Sequence, residues 1–302
     1  MAADVIRIHL FNTDGYPISS HVSKSIFSTL AQGIYQHFIQ KYPNETIVCC
    51  HYMVLKQIYQ NGSHVSGVIG DHSFLTSFAD QKISSQCIVI EYPDGELRAI
   101  DLTDRNDDIL KLAALENFTG GMVFQYDPLR FKKEPKLHPG YYSTRGFYTS
   151  ESDDVQQFVK YVTKNNPKLY FRGPRTHKFR SCLEHLASYP DAEVYENTIE
   201  PEDYFAEFGS HKIVLGLPGR GDLCFRDFEA FALNIPLLRP EYSVSLAQPL
   251  IPDYHYLRVS VTDPDQMELL ARDIMTRYYE VIGDQNFLDF IANNAFEYYT
   301  NF

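Results

Sequence analysis

Short apolar runs that favour strands alternate along this chain with longer segments whose apolar residues recur at helical spacing. In the first pair, Val5 to Phe11 is an apolar run that ends in a turn-forming segment, and residues 23–42 follow with a helical pattern. The alternation continues to residues 265–281 and 286–302, which have the pattern of amphipathic helices. This is the pattern of layered α/β proteins with mostly parallel strands. The sequence therefore predicts an α/β fold.

The length of 302 residues favours two domains, at roughly 100–200 residues per domain. Residues 132–150 contain prolines and glycines without clear periodicity and are typical of a connector. We therefore expect one domain at 1–150 and a second at 151–302. The expected elements include strands at 65–69, 86–92, 98–102 and 169–172, and helices at 152–165 and 178–189.

The charge balance limits the choice of partners. Lys and Arg number 27 against 39 Asp and Glu, which gives a formal net charge of −12. A surface this acidic repels a phosphodiester backbone, so nucleic acid is not an expected partner. Any anion that binds must be met by a local group of arginines.

Cysteine and histidine usage indicates the compartment and the metal content. The five cysteines form no CxxC pair, and the eleven histidines show no HxH or HExxH spacing. No secretory leader and no apolar window of the length of a membrane span is visible. We expect a cytoplasmic protein without a membrane span and without a metal.

The first candidate functional segment runs from Tyr170 to Arg180, where a predicted strand ends and a helix begins. Three arginines lie within it, at positions 172, 175 and 180. Ligands of open α/β sheets bind at the carboxyl ends of strands, and guanidinium groups can hold two phosphate oxygens each. The segment predicts a diphosphate site. A solvated basic turn is the alternative.

A second glycine-rich loop, Gly216 to Gly221, follows another predicted buried strand and leads into a helix that carries Arg226 and Glu229 one turn apart. Glycines let the main chain approach a ligand, and a helix start favours phosphate. The loop lacks the Gly-Lys-Ser/Thr of a P-loop. By itself it is equally consistent with a simple tight turn.

Several of these segments resemble one enzyme family. Phe171-Arg172-Gly173 with Arg175-Thr176 resembles the FRGxRT motif of the capsule-associated-protein and Rumi-like glycosyltransferases. Phe225-Arg226 resembles the family's serine-phenylalanine-arginine element, with Cys224 in place of serine, and residues 252–259 resemble its histidine-tyrosine segment with His255. The resemblance is specific over about residues 165–302 and thin before them.

The resemblance implies a GT-B fold, with two facing Rossmann-like domains, of which 1–150 binds the acceptor and 151–302 binds the nucleotide sugar. It implies a UDP-sugar as co-substrate and neither a metal nor another cofactor. The Asp263-Pro264-Asp265 sequence is expected to cap a helix. The residues expected to contact the donor are Arg172, Gly173, Arg175, Thr176, Arg180, Gly219, Phe225, Arg226 and Glu229.

The resemblance also implies a carboxylate base. The segment from Ala99 to Asp104 has the shape of the family element that carries the base, and Asp104 is the candidate. The tyrosine-proline that usually follows is absent, and a carboxylate here could also be a helix cap. The alternatives that stay open are Asp101, Asp127, Asp71 and Asp14.

Taken together, the sequence predicts an inverting glycosyltransferase that moves xylose or glucose from a UDP-sugar to a hydroxyl of a glycan or glycoprotein. The expected source is a bacterium or a large DNA virus, which would place a viral protein in the host cytoplasm. A non-catalytic carbohydrate- or nucleotide-binding protein with the same fold is the alternative. The oligomeric state is not determined by these patterns.

Overall fold

The computed structural model describes residues 6–12, 34, 37, 38, 40, 41, 46–52, 87–101, 107–140, 163–219, 221–263 and 265–301. The chain divides into two compact units, Met1–Gly140 with Arg145–Phe147, and Tyr141–Thr144 with Tyr148–Phe302. Each unit has its own sheet. The expected strand at 65–69, most of the helix at 23–42 and the helix at 152–165 up to residue 162 lie outside the described residues.

Unit 1 contains a six-stranded sheet with the order β2-β1-β3-β4-β5-β6. Its elements are β1 (Ile6–Asn12), β2 (Thr46–Tyr52), β3 (Cys87–Glu91), β4 (Leu97–Asp101), α1 (Asp107–Ala113), β5 (Phe118–Val123) and β6 (Leu137–Pro139). Helix α1 places Ile109 and Leu112 against the sheet, where both are fully buried. Three strand pairs are parallel, namely β1 with β2, β4 with β5 and β5 with β6.

The antiparallel centre of this sheet differs from the mostly parallel, Rossmann-like sheet expected for residues 1–150. Strand β3 runs antiparallel to both β1 and β4. The cause is a tight hairpin between β3 and β4: the amide of Gly95 donates to the carbonyl of Tyr92 at 2.9 Å, and Gly95 has a φ of +84°. Glycine reaches this left-handed conformation at low cost, so the Pro93-Asp94-Gly95 turn reverses the chain. Unit 1 is therefore a mixed sheet.

Unit 2 contains a five-stranded sheet in which every pair of neighbours is parallel, with the order β11-β10-β9-β7-β8. Its strands are β7 (Asn166–Arg172), β8 (Ala192–Tyr195), β9 (His211–Leu215), β10 (Leu237–Pro240) and β11 (Leu257–Val259). Its helices are α2 (Leu183–Leu186), α3 (Pro201–Ser210), α4 (Phe225–Ala232), α5 (Met267–Val281) and α6 (Gln285–Asn301). This arrangement confirms a layered α/β unit with parallel strands.

Alternating side chains of β7 pack on the two faces of this sheet, as a strand buried on both sides requires. Leu169 and Phe171 join the core that contains residues of α5. Tyr170 joins the opposite core, which α3, α4 and α6 cover. The helices therefore lie on both faces, and the loops at the strand ends stay at the sheet edge.

Two helix predictions need correction. Residues 163–165 are not helical, because Pro167 disfavours helical geometry at the residue before it, and β7 begins at Asn166 instead. The expected helix at 178–189 is a 3-10 helix over Lys178–Cys182 followed by the short α2. The amides of Ser188 and Tyr189 bond to the carbonyls of His185 and Leu186, three residues back, so the chain after α2 tightens into a 3-10-type turn.

The strand order reverses between β7 and β9. The chain adds β8 on one side of β7 and then crosses to the other side to add β9. At such a switch point the connecting helices leave on opposite faces, and a crevice opens at the carboxyl ends of the two strands. The chain positions at this place are Arg172-Gly173 after β7 and Gly216 after β9.

Candidate anion-binding site

Arg226, in the first turn of α4, extends from the helix to the end of β7. Its Nη2 donates to the main-chain carbonyl of Arg172, and its guanidinium carbon lies 4.3 Å from the centre of the Phe171 ring. The residue is 8% exposed, and its Nε and Nη1 have no hydrogen-bond partner in the described part of the chain. A buried donor without a partner costs about 1–3 kcal/mol. Nε–H and the Nη1 hydrogens point from different edges of the guanidinium, so two separate anionic oxygens would be needed to satisfy both nitrogens.

Arg180 lies near Gly173, with its Nη1 3.7 Å from the place of a Cβ on that glycine, and binds main-chain carbonyls. It donates to the carbonyl oxygens of Pro218 at 2.8 Å, Pro174 at 2.7 Å and Leu217 at 3.2 Å. These carbonyls belong to the loops that follow β7 and β9, so the Arg180 side chain connects the two loops through hydrogen bonds. Burial lowers the pKa of Arg180, and the positive charge of Arg226 lowers it further. The two guanidinium groups therefore repel each other, which a bound anion would relieve.

Two glycines make room for these side chains. Gly173 has a φ of +153°, and a Cβ there would lie 2.6 Å from Nη2 of Arg226. A Cβ on Gly219 would lie 3.0 Å from Nη2 of Arg180 and 3.2 Å from Sγ of Cys224. The glycines thus allow each guanidinium to contact the main chain directly.

The start of α4 supplies further positive potential. Cys224 is the residue that precedes the helix, and its amide donates to Oδ2 of Asp227 at 3.3 Å. Burial raises the pKa of the Cys224 thiol, which keeps it neutral. Sγ of Cys224 accepts the Asp227 amide in return, so a capping box closes this helix start, and the helix dipole favours negative charge there.

A buried ion cluster holds this helix start in place. Arg239 of β10 pairs with Asp227 at 2.5 Å and with Asp222 at 2.6 Å, and its guanidinium lies 3.3 Å from the centre of the Tyr242 ring. Arg239 and Asp227 have no solvent exposure. Both carboxylates form ion pairs with Arg239, which holds the start of α4 in place. Burial alone would lower the pKa of Arg226, but nearby acidic groups, Glu229 and Asp227 among them, raise it, so Arg226 stays charged.

Of the predicted donor residues, the structure brings together Gly173, Arg180, Gly219 and Arg226. The side chain of Arg172 points elsewhere: it pairs with Glu207 at 2.7 Å and donates to Oδ1 of Asn197 at 2.7 Å. Only the carbonyl of Arg172 reaches the site. Phe171 begins the FRGxRT-like motif but is not among the predicted donor residues. Its ring lies under both guanidinium groups, with its centre 4.3 Å from that of Arg226 and 5.5 Å from that of Arg180.

The other predicted donor residues lie around this centre. Arg175 is ion-paired with Glu184 and with Glu196, and Thr176 beside it is exposed. Glu229 is buried and accepts a hydrogen bond from the Tyr204 hydroxyl at 2.8 Å. The remaining residue, Phe225, is half-buried in the first turn of α4.

The candidate bases are only partly described. The first candidate, Asp104, lies outside the described residues, as do Asp71 and Asp14. Asp101 is fully buried at the end of β4, and Asp127 accepts the amides of Leu129 and Arg130 in a turn.

The expectation that Asp263-Pro264-Asp265 caps a helix is wrong, because the N-cap of α5 is Gln266 and it has no side-chain cap hydrogen bond. Asp263 and Asp265 form a local turn instead. Asp263 accepts the Asp265 amide at 2.9 Å and the Gln266 side chain at 2.8 Å, and Asp265 pairs with Lys178. Within the described ranges, no group of three or more His, Cys, Asp or Glu side chains has a metal-binding arrangement. None of the helices in the same part of the chain has both the length and the apolar content needed to cross a bilayer.

Comparison with known proteins gives a distant structural likeness. No known protein family matches this chain, and no curated protein matches it by sequence. Among solved structures, the pneumococcal O-GlcNAc transferase GtfA in complex with UDP and GlcNAc is similar to this chain with a TM-score of 0.38 and 14% identity. The match covers 66% of this chain and 45% of GtfA, so this chain spans less than half of that protein. A likeness this distant carries no conclusion about function.

Proposed function

We propose that this chain is a glycosyltransferase whose second unit holds the diphosphate of a nucleotide sugar at the carboxyl ends of β7 and β9. The observation that carries the proposal is Arg226, a buried guanidinium with two nitrogens that have no hydrogen-bond partner among the described residues. It lies at the strand-order switch point, beside a second arginine and a helix start. These are the features that bind phosphate groups in open α/β sheets.

The same groups suit the chemistry of sugar transfer. Negative charge grows on the leaving diphosphate as the glycosidic bond breaks, and fixed cations at that position lower the barrier. A guanidinium can hold two phosphate oxygens at once, which an ammonium group cannot do with the same geometry. Arg226 would contact the diphosphate directly, and Arg180 would fix the loops around it.

The resemblance in the sequence supports the finer proposal. It favours UDP-xylose or UDP-glucose as donor, a glycan or glycoprotein hydroxyl as acceptor, inversion at the sugar carbon and Asp104 as the base. The non-catalytic alternative differs in one observable respect. It would bind UDP without transferring or hydrolysing any UDP-sugar.

The proposal is tested by titrating the protein with UDP. Arg226→Met keeps the apolar stem and removes the charge, and the affinity for UDP should fall about 10- to 150-fold, the effect of losing a charge-assisted hydrogen bond. Arg272→Met is the matched control, because Arg272 is an exposed arginine of α5. An unchanged dissociation constant in Arg226→Met would remove this residue from the site.

Nucleotide selectivity is measured by thermal shift, since a ligand that binds only the native state raises the melting temperature. UDP and one UDP-sugar should raise it, and GDP-mannose and NAD should not. Equal shifts with all four would contradict the choice of uridine.

Transfer should not depend on a divalent metal. The Asp263-Asp265 turn uses its carboxylates in local hydrogen bonds and an ion pair, and the phosphate charge is met by arginines in the proposal. Turnover of the UDP-sugar should therefore be the same within about twofold after dialysis against EDTA, an allowance that reflects ordinary ionic effects. Loss of turnover that manganese restores would contradict this expectation.

A further inference from the structure

The two sides of the anion-binding site differ in what they offer to the rest of a ligand. On the β10 side, the strand end is filled by the buried cluster of Arg239, Asp227 and Asp222. On the β8 side, Tyr195 is the last residue of the strand and is 38% exposed. Tyr195 is therefore an exposed aromatic residue at the carboxyl end of β8, which is a direct neighbour of β7.

Tyr195 is connected to the anion-binding site through a single peptide group. The carbonyl of Arg172 accepts a hydrogen bond from Nη2 of Arg226, and the amide of the same peptide, that of Gly173, donates to the carbonyl of Tyr195 at 2.9 Å. Arg226 and Tyr195 therefore lie on opposite sides of one peptide. In a nucleoside diphosphate the base is likewise separated from the phosphates by only a ribose.

The ring of Tyr195 is also held in a fixed place. The guanidinium of Arg172 lies 4.2 Å from the ring centre and covers one face. Arg172 is itself fixed by Glu207 and Asn197, so the cover is rigid. The Tyr170 ring packs beside Tyr195 with 6.1 Å between the ring centres, and Tyr195 keeps 38% of its surface exposed. A rigid, exposed aromatic ring is a good surface for stacking a nucleobase.

The geometry points to Tyr195 as the nucleobase-stacking residue of this site, with the base lying on the ring face opposite Arg172. This inference rests on the proposed function, because it takes the anion at Arg226 to be the diphosphate of a nucleotide. The side chain of Arg172 lies outside the anion-binding site. In this inference Arg172 acts as a positioning residue that holds the Tyr195 ring. Stacking is tolerant of base identity, so Tyr195 contributes affinity for the base and not the choice of uracil.

The first experiment compares two ligands that share the phosphates and differ in the base, namely UDP and inorganic pyrophosphate. Tyr195→Ala and Tyr195→Leu should weaken UDP binding about 5- to 150-fold, the effect of losing one base–aromatic stack. Both variants should bind pyrophosphate as the wild type does. Tyr195→Phe keeps the ring and should bind UDP like the wild type, and Arg226→Met should lose affinity for both ligands.

A second experiment observes the stacking directly. The chain contains no Trp, so Tyr195→Trp creates a protein with a single tryptophan. Its fluorescence should be quenched by UDP and unchanged by pyrophosphate. This readout does not depend on whether Tyr195→Ala keeps its native packing on Arg172.

The outcomes separate the two proposals. Normal UDP affinity in both Tyr195→Ala and Tyr195→Leu, or UDP binding to Tyr195→Trp without quenching, overturns the inference and leaves the proposed function standing. Equal losses for UDP and pyrophosphate in the Tyr195 variants also overturn it, since the residue would then act on the phosphate site. A wild-type protein that binds neither ligand overturns the proposed function and the inference with it.

Discussion

Gly173 allows a charged side chain to contact the end of a strand. The space that a Cβ would need is occupied by Nη2 of Arg226, and the φ of +153° is one that other residues rarely adopt. Gly95 offers a comparison, because it also has a positive φ but nothing lies within 4 Å of the place that a Cβ would take there. Substitutions at the two glycines therefore distinguish two effects. A side chain at Gly95 causes backbone strain alone, whereas a side chain at Gly173 also displaces Arg226.

We predict that Gly173→Ala lowers UDP affinity at least tenfold, because the methyl group displaces the guanidinium that makes charge-assisted hydrogen bonds to the phosphate. Gly95→Ala should leave UDP affinity unchanged and cost about 1–2 kcal/mol of unfolding free energy from strain alone. Isothermal titration and urea unfolding of both variants measure these effects. Wild-type UDP affinity in Gly173→Ala would contradict the site geometry.

At the scale of single residues, the sequence predicts which residue types form the site. It does not predict which arginine side chain is directed into the site. Arg172 and Arg226 are equally plausible from their motifs. Arg172 is neutralised by Glu207, which lies 35 positions away in the chain, and no local pattern reveals that pair. Arg226 differs because its position on α4 directs it to a carbonyl instead of a carboxylate.

Among the elements, the segment that leads into β11 depends on a neutral histidine. Nδ1 of His255 accepts the amide of Ile251 at 2.9 Å, which requires that this nitrogen carries no proton. His255 is 8% exposed, and burial lowers its pKa below the ordinary value of about 6.5. As the pH falls, the unfolded chain therefore takes up the proton before the folded one does.

The sign of this linkage predicts acid sensitivity. The contribution of His255 to stability is complete above about pH 6.5 and is lost as the pH falls below that value. Melting temperatures at pH 7.5 and pH 5.5 should differ more in the wild type than in His255→Asn, whose side-chain oxygen can accept the same amide at both pH values. The same pH dependence in both proteins would show that another group is responsible.

The elements also show where sequence patterns are sufficient. Strand and helix patterns identify most elements of unit 2, because its central strands β7, β9 and β10 are largely buried and its long helices α5 and α6 bury one side. The antiparallel centre of unit 1 is not identified by periodicity, since a strand has the same pattern in either direction. The Asp94-Gly95 pair between two apolar runs is the local signal that indicates the hairpin.

For the molecule as a whole, the proposal assigns different tasks to the two units. In that proposal unit 2 would hold the donor, and the proposed base Asp104 lies within unit 1. The all-parallel sheet of unit 2 has a switch point that can be recognised from its strand order, whereas no equivalent rule identifies an acceptor site in a mixed sheet. The sequence therefore predicts the donor site in more detail than the acceptor site.

This division of tasks predicts a separation of rate from affinity. Asp104→Asn keeps the shape and removes the basicity, so turnover should fall about 10²- to 10⁴-fold, as for a lost general base. The dissociation constant for UDP should not change, and the wild-type product from an α-linked donor should be β-linked. Near-normal turnover in Asp104→Asn would move the assignment to Asp101, Asp127, Asp71 and Asp14, to be tested in that order.

The hydrogen bonds from Arg180 to three main-chain carbonyls also affect the entropy of ligand binding. The hydrogen bonds to Pro174, Leu217 and Pro218 hold the loops that follow β7 and β9 in place. Fixing the main chain of one residue costs about 1–2 kcal/mol of conformational entropy, and here that loss occurs when the protein folds. A ligand that enters between the loops does not have to order them again, so more of its contact energy remains as affinity.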